Sequence, residues 1–393
     1  MNINISHNAS TYRTPWGPLE KQLVPRFVVL SFVLFIIISA YWCLRSLKDP
    51  LFSHLVGITY QPTAKIVSML CIFPLLLFYS KLIDWLPKQK VFYFFASLYT
   101  LLFLAISLFT DLGPNTSMID SVLGWVSYVA IESFGSIMVT LFWGFTTGQA
   151  SADEGKKFFP MILSIAQIGA FIGPTVVTFS DKVGINTILG GTALWIIAIP
   201  FLIHYHKIKF HTLETNDLTK EEKKSGALEG LRIIIANPYV IGILGITTLH
   251  EVVSTILDYQ MKFLASQAYP NPNDFAVFMG QFGQVVNIGT CLWVLLGSSY
   301  LLRKFGLTAC LVLYPLVVLG ICLSLYANPT LWSFFGCMAL FKVLNYALNN
   351  PAKEVLYTPT SADVRYKAKS WIDGFGARSA KATGSLVDRK SVV

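Results

Sequence analysis

Ten separate blocks of roughly twenty apolar residues run through this sequence, and they restrict its fold more than any other feature. A helix needs about 20 residues to cross the roughly 30 Å of hydrocarbon in a bilayer. The blocks lack the alternation of half-buried strands, so they favour helices over a closed barrel. Only 13% of the 393 residues are charged, against about 25% in a soluble domain. We therefore predict an all-α, polytopic membrane helix bundle with these spans: Phe27–Leu44, Thr63–Tyr79, Val91–Thr110, Ile119–Phe145, Phe158–Phe179, Thr187–Tyr205, Tyr239–Leu257, Val277–Leu296, Leu307–Tyr326 and Leu331–Leu348.

The distribution of lysine and arginine predicts the orientation of these spans. If the N-terminus is cytoplasmic, the inside segments hold twenty of the thirty basic residues. The outside loops and the neighbouring span ends hold five, namely Arg45, Lys48, Lys65, Lys182 and Lys262. Because basic residues collect in cytoplasmic loops, we expect a cytoplasmic N-terminus. The net charge of +9 then belongs to these loops and does not indicate binding to nucleic acid.

A long charged stretch follows the sixth span and divides the chain into two parts. At an offset of 210 residues, Ser151–Asp153 corresponds to Ser361–Asp363, and both triplets lie in a basic loop, after spans four and ten. This equivalence indicates a duplicated six-helix unit, which is the plan of major-facilitator-type carriers. The predicted domains are a cytoplasmic N-terminal segment at 1–26, a six-helix repeat at 27–205, a charged cytoplasmic loop at 206–236 and an incomplete second repeat at 237–393.

The second repeat is shorter than the first in this sequence. An eleventh segment begins near Trp371, and we expect it to stop before it can cross the membrane. On the plan of six plus six helices, a twelfth helix is then missing. We expect the parent sequence to continue past Val393 through the rest of helix eleven and a twelfth helix.

Three ionisable residues stand out inside predicted spans, where charge is costly and indicates a functional site by default. Glu132 lies near the middle of span four, and Glu251 lies in the outward half of span seven. Lys342 lies in span ten, opposite Glu132 under the 210-residue offset. A structural alternative stays open, in which Glu132 and Lys342 form an ion pair that holds the two halves together.

A charged stretch directly follows span one. It contains Arg45, Lys48 and Asp49, and it is followed by Pro50. A functional site is one interpretation of Lys48. Ordinary extension of its ammonium group to the membrane interface is the other.

The motifs of several soluble enzymes are incomplete or missing. The stretch His250–Ser254 lacks the second histidine of the HExxH zinc motif, and the chain contains no P-loop. The six cysteines lie within or beside apolar segments and form no CxxC pair. We therefore expect neither an enzyme nor a resident metal or cofactor.

Four stretches together resemble the ATP/ADP translocases of obligate intracellular bacteria and plastids. They are Arg45–Asp49, Glu132–Trp143, Asp153–Phe159 and Pro351–Pro359, and the segment from Lys367 to Ser385 resembles the same family's lysine- and glycine-rich stretch. The likeness extends from about Arg45 to Leu386. At the last stretch the chain departs from the family pattern, because Ala380–Gly384 lacks one glycine and the serine beside the lysine.

The resemblance implies a nucleotide carrier, most directly one that exchanges ATP for ADP by alternating access. The family's two essential lysines and two essential glutamates correspond to Lys48, Glu132, Glu251 and Lys381. Supporting residues would be Arg45, Asp49, Lys342, Lys353 and Glu354. The lysines would clamp the phosphates from opposite halves, and the glutamates would oppose the lysines in the empty site, bind ribose and amine donors, or carry a proton. Trp143 and Tyr346 are candidates to stack on the base, and core or interfacial packing is the alternative role for each.

Three alternatives stay open: a nucleotide/proton symporter of the same family, an NAD carrier of that family, and a major-facilitator-type carrier of another anionic solute. The partners expected from the sequence are a nucleotide substrate and membrane lipid, and no nucleic acid. We expect a monomer in the inner membrane of a bacterium, with many spans and a cytoplasmic N-terminus.

Overall fold

The computed structural model describes residues 11–14, 17–20, 23–113, 117–210, 229–294, 299–357, 359–361, 364 and 368–391. Two short strands come first, β1 (Thr11–Thr14) and β2 (Gly17–Glu20). The α-helices are α1 (Val24–Leu55), α2 (Gln61–Trp85), α3 (Lys88–Phe109), α4 (Met118–Thr147), α5 (Ala152–Val177), α6 (Ser180–Val183), α7 (Ile185–Ile196), α8 (Ala198–Phe210), α9 (Glu229–Ala236), α10 (Pro238–Ala268), α11 (Pro272–Trp293), α12 (Ser299–Ala327), α13 (Leu331–Leu344), α14 (Asn350–Tyr357), α15 (Lys369–Trp371) and α16 (Ala377–Ser391). A 3-10 turn (Ile58–Tyr60) precedes α2, and π-helical turns join α13 to α14 (Asn345–Asn349) and α15 to α16 (Ile372–Gly376).

Ten helical stretches among the described residues are long and apolar enough to cross a membrane. Each of them overlaps one of the ten predicted spans. The prediction of a polytopic membrane protein with a helical bundle is therefore confirmed. The one addition to the all-α expectation is a small antiparallel hairpin, in which Thr11 pairs with Glu20 and Thr14 with Gly17.

Several helices are longer than the predicted spans, and the first and the seventh exceed them by the most. The first helix continues from the expected end at Leu44 to Leu55, and the seventh span continues from Leu257 to Ala268. The predicted ends were placed where charged residues begin. In the structure those charges find partners on other helices, so both helices continue through them.

Each half of the bundle has its own apolar core. The N-terminal half comprises α1–α8, and its core is built around α1, which packs closely against α5. Gly169 and Gly173 make this approach possible, because a side chain on either glycine would collide with the backbone oxygen of Phe35 or Ser39. Small residues four positions apart are a common device for close helix packing in membranes. The C-terminal half, α9–α16, has separate clusters of buried side chains.

The two halves meet mainly at two places. In the first, α11 packs against α1 and α5, and Gly280 and Gly283 lie directly against Pro174. The Gln284 side chain also donates a 2.9 Å hydrogen bond to Thr175 Oγ1. In the second, α16 packs against α2 and also lies along α10. These contacts leave the space between α1, α4, α10 and α13 open for a site.

The eleventh segment is helical over a longer range than expected. Helix begins at Lys369 and continues through the π-helical turn to Ser391. At 1.5 Å per residue this stretch is roughly 34 Å long, which matches the thickness of the hydrocarbon core. Its composition is more polar than that of the ten apolar spans.

Parts of several predicted features lie outside the described residues. In the central loop predicted at 206–236, residues 211–228 are not described, including the charged stretch around Lys223. Ser151 caps α5, its hydroxyl accepting a 3.3 Å hydrogen bond from the Glu154 amide. Ser361 similarly accepts from the Val364 amide at 3.4 Å, but residues 362 and 363 are outside the described part, so the repeat triplets are compared only at their serines.

Candidate functional site

A cavity of about 650 Å³ lies between the two halves. It is lined by α1, α2 and α4 from the N-terminal half and by α10, α11, α13, α14 and α16 from the C-terminal half, together with the π-helical turn at 345–349. Its lining contains ten charged side chains besides His250: Arg45, Lys48, Asp49, Lys65, Glu132, Glu251, Asp258, Lys262, Lys342 and Lys381. So many charges in a membrane protein require partners within the protein, because lipid offers none.

Helical spacing brings these charges to one side of each helix. On α1, Tyr41, Arg45 and Lys48 recur at intervals of four and three residues and face the cavity. Positions three and four apart share one face of a helix. On α10 the corresponding stripe is Glu251, Ser254, Asp258 and Lys262. Apolar residues on the other faces of α1 contribute to the core of the N-terminal half.

The four residues implied by the resemblance all line this cavity, and they form two ion pairs. Lys48 on α1 contacts Glu132 on α4, within the N-terminal half. Lys381 on α16 lies 3.6 Å from Glu251 on α10, within the C-terminal half. Each half therefore contributes one lysine that is held by a glutamate of the same half.

Lys48 lies inside the protein rather than at a membrane interface. It is part of α1, only 5% of its surface is exposed, and its ammonium group lies 4.3 Å from the centre of the Tyr128 ring. The structure places it between this ring and Glu132, so interfacial extension does not describe its position. The structural alternative, an ion pair between Glu132 and Lys342, is not what the structure shows. Glu132 contacts Lys48, whereas Lys342 donates a 3.0 Å hydrogen bond to Ser254.

A second group of residues, four charged and one polar, lies nearer one end of the cavity. We call it the end network: Asp49, Gln61, Lys65, Asp258 and Lys262. Lys262 lies 2.8 Å from Asp49 and 2.5 Å from Asp258, and Lys65 lies 3.7 Å from Asp258. Gln61 donates a 2.8 Å hydrogen bond to Asp49. Since Asp49 is on α1 and Lys262 on α10, the network joins the two halves.

Sequence analysis identified only Asp49 of this network, as a supporting residue. The sequence places Lys65 and Lys262 in outside loops or at span ends and indicates no role for Asp258. One signal was present in the sequence, because Asp258 and Lys262 are four residues apart and opposite charges at that spacing face each other on a helix. The connection of this pair to α1 and α2 is a tertiary feature that the spacing alone does not reveal.

The cations at the centre of the cavity differ in their partners. We define the central cluster as Arg45, Lys48, Glu132, Glu251, Lys342 and Lys381. Among the described residues, Arg45 and Lys342 have no carboxylate within ion-pair distance. Arg45 instead donates a 3.0 Å hydrogen bond to Tyr41 and lies 5.1 Å from the centre of the Trp42 ring.

Two of the expected supporting residues lie away from the cavity lining. Glu354 pairs with Lys369 at 2.6 Å, and Lys353 is absent from the lining residues. Both belong to α14, whose Asn350 does reach the cavity. The charge of Glu354 is therefore compensated on another part of the C-terminal half.

Only one of the two aromatic candidates for base stacking lies at the cavity. Tyr346 lines the cavity. Trp143 packs edge-on against Phe142 and Phe159 in the N-terminal core, away from the lining. Trp42, which the sequence analysis did not consider, lines the cavity beside Arg45.

His250 is a buried residue at the wall of the cavity. Its ring stacks on Phe341 with the centroids 5.0 Å apart, and its Nδ1 lies 2.7 Å from the Tyr314 hydroxyl. In the described part of the chain, no group of three or more His, Cys, Asp or Glu side chains is arranged to hold a metal ion. The six lysine and arginine side chains of the lining, against four carboxylates, suit the cavity to binding an anion by charge and hydrogen bonds.

Comparison with known proteins gives a consistent result for the sequence. The profile of the TLC ATP/ADP transporter family matches residues 111–331, more than half of the chain. The ADP,ATP carrier protein 1 of Arabidopsis thaliana chloroplasts is 26% identical over 94% of this chain and 69% of its own length. The ADP,ATP carrier protein 1 of Chlamydia muridarum is 24% identical over 98% of this chain and 86% of its own, and the ADP,ATP carrier protein 4 of Rickettsia bellii is 21% identical over 94% and 84%.

Two solved structures have a similar arrangement of helices. A bacterial homologue of the iron transporter ferroportin, in its inward-facing state, has a TM-score of 0.65 at 15% identity, over 93% of this chain and 92% of its own. An auto-inhibited POT family peptide transporter has a TM-score of 0.59 at 12% identity, over 93% and 88%. These similarities concern the fold alone, and they confirm the major-facilitator-like architecture predicted from the sequence.

Proposed function

The chain belongs to the TLC ATP/ADP transporter family, and on that premise we propose that it exchanges ATP for ADP across a membrane by alternating access. Membership of this family makes it a carrier and not an enzyme. The substrate passes through the cavity between the two halves. Lys48 and Lys381 bind the phosphate groups, and Glu132 and Glu251 hold these lysines while the site is empty.

The observation that carries this proposal is the excess of cations in a cavity shared by both halves. The lining contains six lysine or arginine side chains and four carboxylates, so positive charge exceeds negative charge by two. A nucleotide brings several negative charges, and an unpaired charge is strongly disfavoured in a low-dielectric passage. A cavity with surplus cations compensates those charges, whereas a neutral or acidic cavity would reject them.

Alternating access requires contacts that close one end of the cavity and can be released. The end network supports this role, because Asp49 and Lys262 join α1 to α10 near the C-terminal ends of both helices. Under the predicted orientation, those ends face the outside. In this conformer the Asp49–Lys262 contact therefore joins the two halves on the outer side. Release of this contact opens the cavity towards the outside.

The decisive experiment is uptake of labelled ATP by intact cells that express the protein. We expect uptake, release of the label when unlabelled ADP is added outside, and weak competition by GTP and NAD. Uptake that collapses with a protonophore and shows no exchange would instead indicate the proton symporter. Competition by an unrelated anion in place of ADP would indicate a carrier of another solute.

We place the protein in the inner membrane of a bacterium, as a monomer with its N-terminus in the cytoplasm. The orientation is supported by the excess of basic residues in the segments predicted to lie inside. The bacterial membrane is supported by the occurrence of relatives in Chlamydia and Rickettsia. A single cysteine at Gly113 or Asn328 should react with a membrane-impermeant reagent added to sealed cells. One at Lys207 should not, and labelling there would reverse the orientation.

A further inference from the structure

The surplus positive charge of the cavity resides on two identifiable side chains. The end network balances Lys65 and Lys262 against Asp49 and Asp258. The central cluster contains two further pairs, Lys48–Glu132 and Lys381–Glu251. Of the six cations that line the cavity, the remaining two are Arg45 and Lys342.

Arg45 presents a guanidinium group that is only partly used. One of its nitrogens donates to the Tyr41 hydroxyl at 3.0 Å, and the group lines the cavity over the Trp42 ring, 5.1 Å from the ring centre. Guanidinium has five N–H donors in a planar fork, a shape that matches the oxygens of a phosphate. Most of these donors have no protein acceptor among the described residues.

Lys342 presents the corresponding cation from the other half. Its ammonium group donates to Ser254 at 3.0 Å, which leaves two of its three donors available. The like charges of Arg45 and Lys381 repel it, and Asp258 and Glu251 attract it from beyond ion-pair distance. An anion placed between Arg45 and Lys342 would relieve this repulsion.

We infer that Arg45 and Lys342 form a phosphate subsite that binds the substrate before either Lys–Glu pair opens. This inference rests on the proposed function and extends it. A phosphate that enters between these two cations displaces no carboxylate, whereas binding to Lys48 or Lys381 must compete with Glu132 or Glu251. Because the two cations belong to opposite halves, the same phosphate group also draws α1 and α13 together.

The subsite makes a graded prediction that depends on the number of phosphates. In purified full-length protein, Arg45→Gln and Lys342→Gln should each raise the Kd for labelled ATP at least tenfold, or about 1.4 kcal/mol. The rise should be smaller for ADP, smaller again for AMP, and absent for adenosine. Matched controls are Arg232→Gln and Lys182→Gln, which remove the same charges from exposed positions outside the cavity and should leave every Kd unchanged.

Charge-retaining variants separate binding from folding. Lys342→Arg and Arg45→Lys keep a cation in the subsite but change its shape, so each should raise the ATP Kd by less than its glutamine counterpart. An unchanged ATP Kd in both glutamine variants overturns the inference, and so does an equal loss of affinity for ATP and adenosine. A charge-retaining variant that loses as much as its glutamine counterpart also overturns it. Failure of the wild type to bind any nucleotide would instead refute the proposed function itself.

Discussion

The end network and the central cluster share one cavity but differ in their balance of charges and in the exposure of their side chains. In the end network two cations face two carboxylates, and the side chains of Asp49 and Lys262 are 1% and 7% exposed. In the central cluster four cations face two carboxylates, and the side chains of Glu132 and Lys381 are 43% and 54% exposed. The two regions adjoin on α1, where Lys48 and Asp49 are consecutive residues, and lie further apart on α10, where about 16 Å of helix separates Glu251 from Lys262.

This difference distinguishes a contact between halves from a site for substrate. A buried, balanced network leaves no net charge for an anion and is strongly destabilised when one partner is removed. The central cluster is exposed at only one member of each ion pair, Glu132 and Lys381, and its surplus cations are uncompensated until an anion arrives. The two regions should therefore respond differently to neutralising mutations, the first in stability and conformation and the second in binding and transport.

Removing Lys262 should give the largest effect. Lys262→Met leaves both Asp49 and Asp258 without their closest counter-ion, and breaking a buried pair in this way costs about 3–5 kcal/mol. The free energy of unfolding, measured in mixed micelles, should fall by about that amount. The double variant Asp49→Asn/Lys262→Met should lose much less than the sum of the single losses, because the two residues interact directly. Additive losses would show that the end network is not a coupled unit.

Neutralising the lysines of the central cluster should affect transport more than stability. Lys48→Gln and Lys381→Gln should each reduce labelled ATP uptake about a hundredfold, since phosphate charge then enters a low-dielectric site without its counter-ion. Expression and membrane insertion should remain normal. Lys182→Gln, exposed and outside the cavity, serves as the control. Normal uptake with unchanged apparent affinity in Lys48→Gln would remove this lysine from the phosphate site.

The sequence predicted the central cluster far better than the end network. Span number and the division into halves followed from long apolar blocks and the positions of basic residues, which are local properties of the chain. Glu132 and Glu251 stood out because each interrupts an apolar block. Lys65 and Lys262 did not, because they lie near predicted span ends where charged residues are ordinary.

The pairing of these charges could not be obtained from the sequence. Whether Lys342 faces Glu132 or Ser254 depends on how α4, α10 and α13 are rotated, and no local pattern determines that rotation. The same holds for Arg45 and Lys342 as the cations without a carboxylate partner. Lys353 and Glu354 give a further example, since their place in a family-like stretch does not reveal that α14 holds them outside the cavity lining.

A change of shape at constant charge should have a smaller effect on the central cluster than neutralisation. Lys48→Arg keeps the positive charge beside Glu132, but a planar guanidinium does not replace a compact ammonium in the buried space beside the Tyr128 ring. Uptake should fall about tenfold, between the wild type and Lys48→Gln. Uptake as low as in Lys48→Gln would mean that geometry outweighs charge at this position.

The smallest effect should come from the ring that covers Lys48. The Tyr128 hydroxyl is buried and has no hydrogen-bond partner among the described residues, so Tyr128→Phe removes an unsatisfied polar group and keeps the aromatic face. Uptake should stay within about twofold of the wild type, with equal or higher thermal stability. Tyr128→Leu also removes the aromatic face 4.3 Å from the lysine, and the loss of a cation–π contact of about 0.5–2 kcal/mol should reduce uptake several-fold. If Phe and Leu gave the same uptake, the ring would act on Lys48 through packing alone, and the central cluster would depend on its ion pairs without help from the aromatic face.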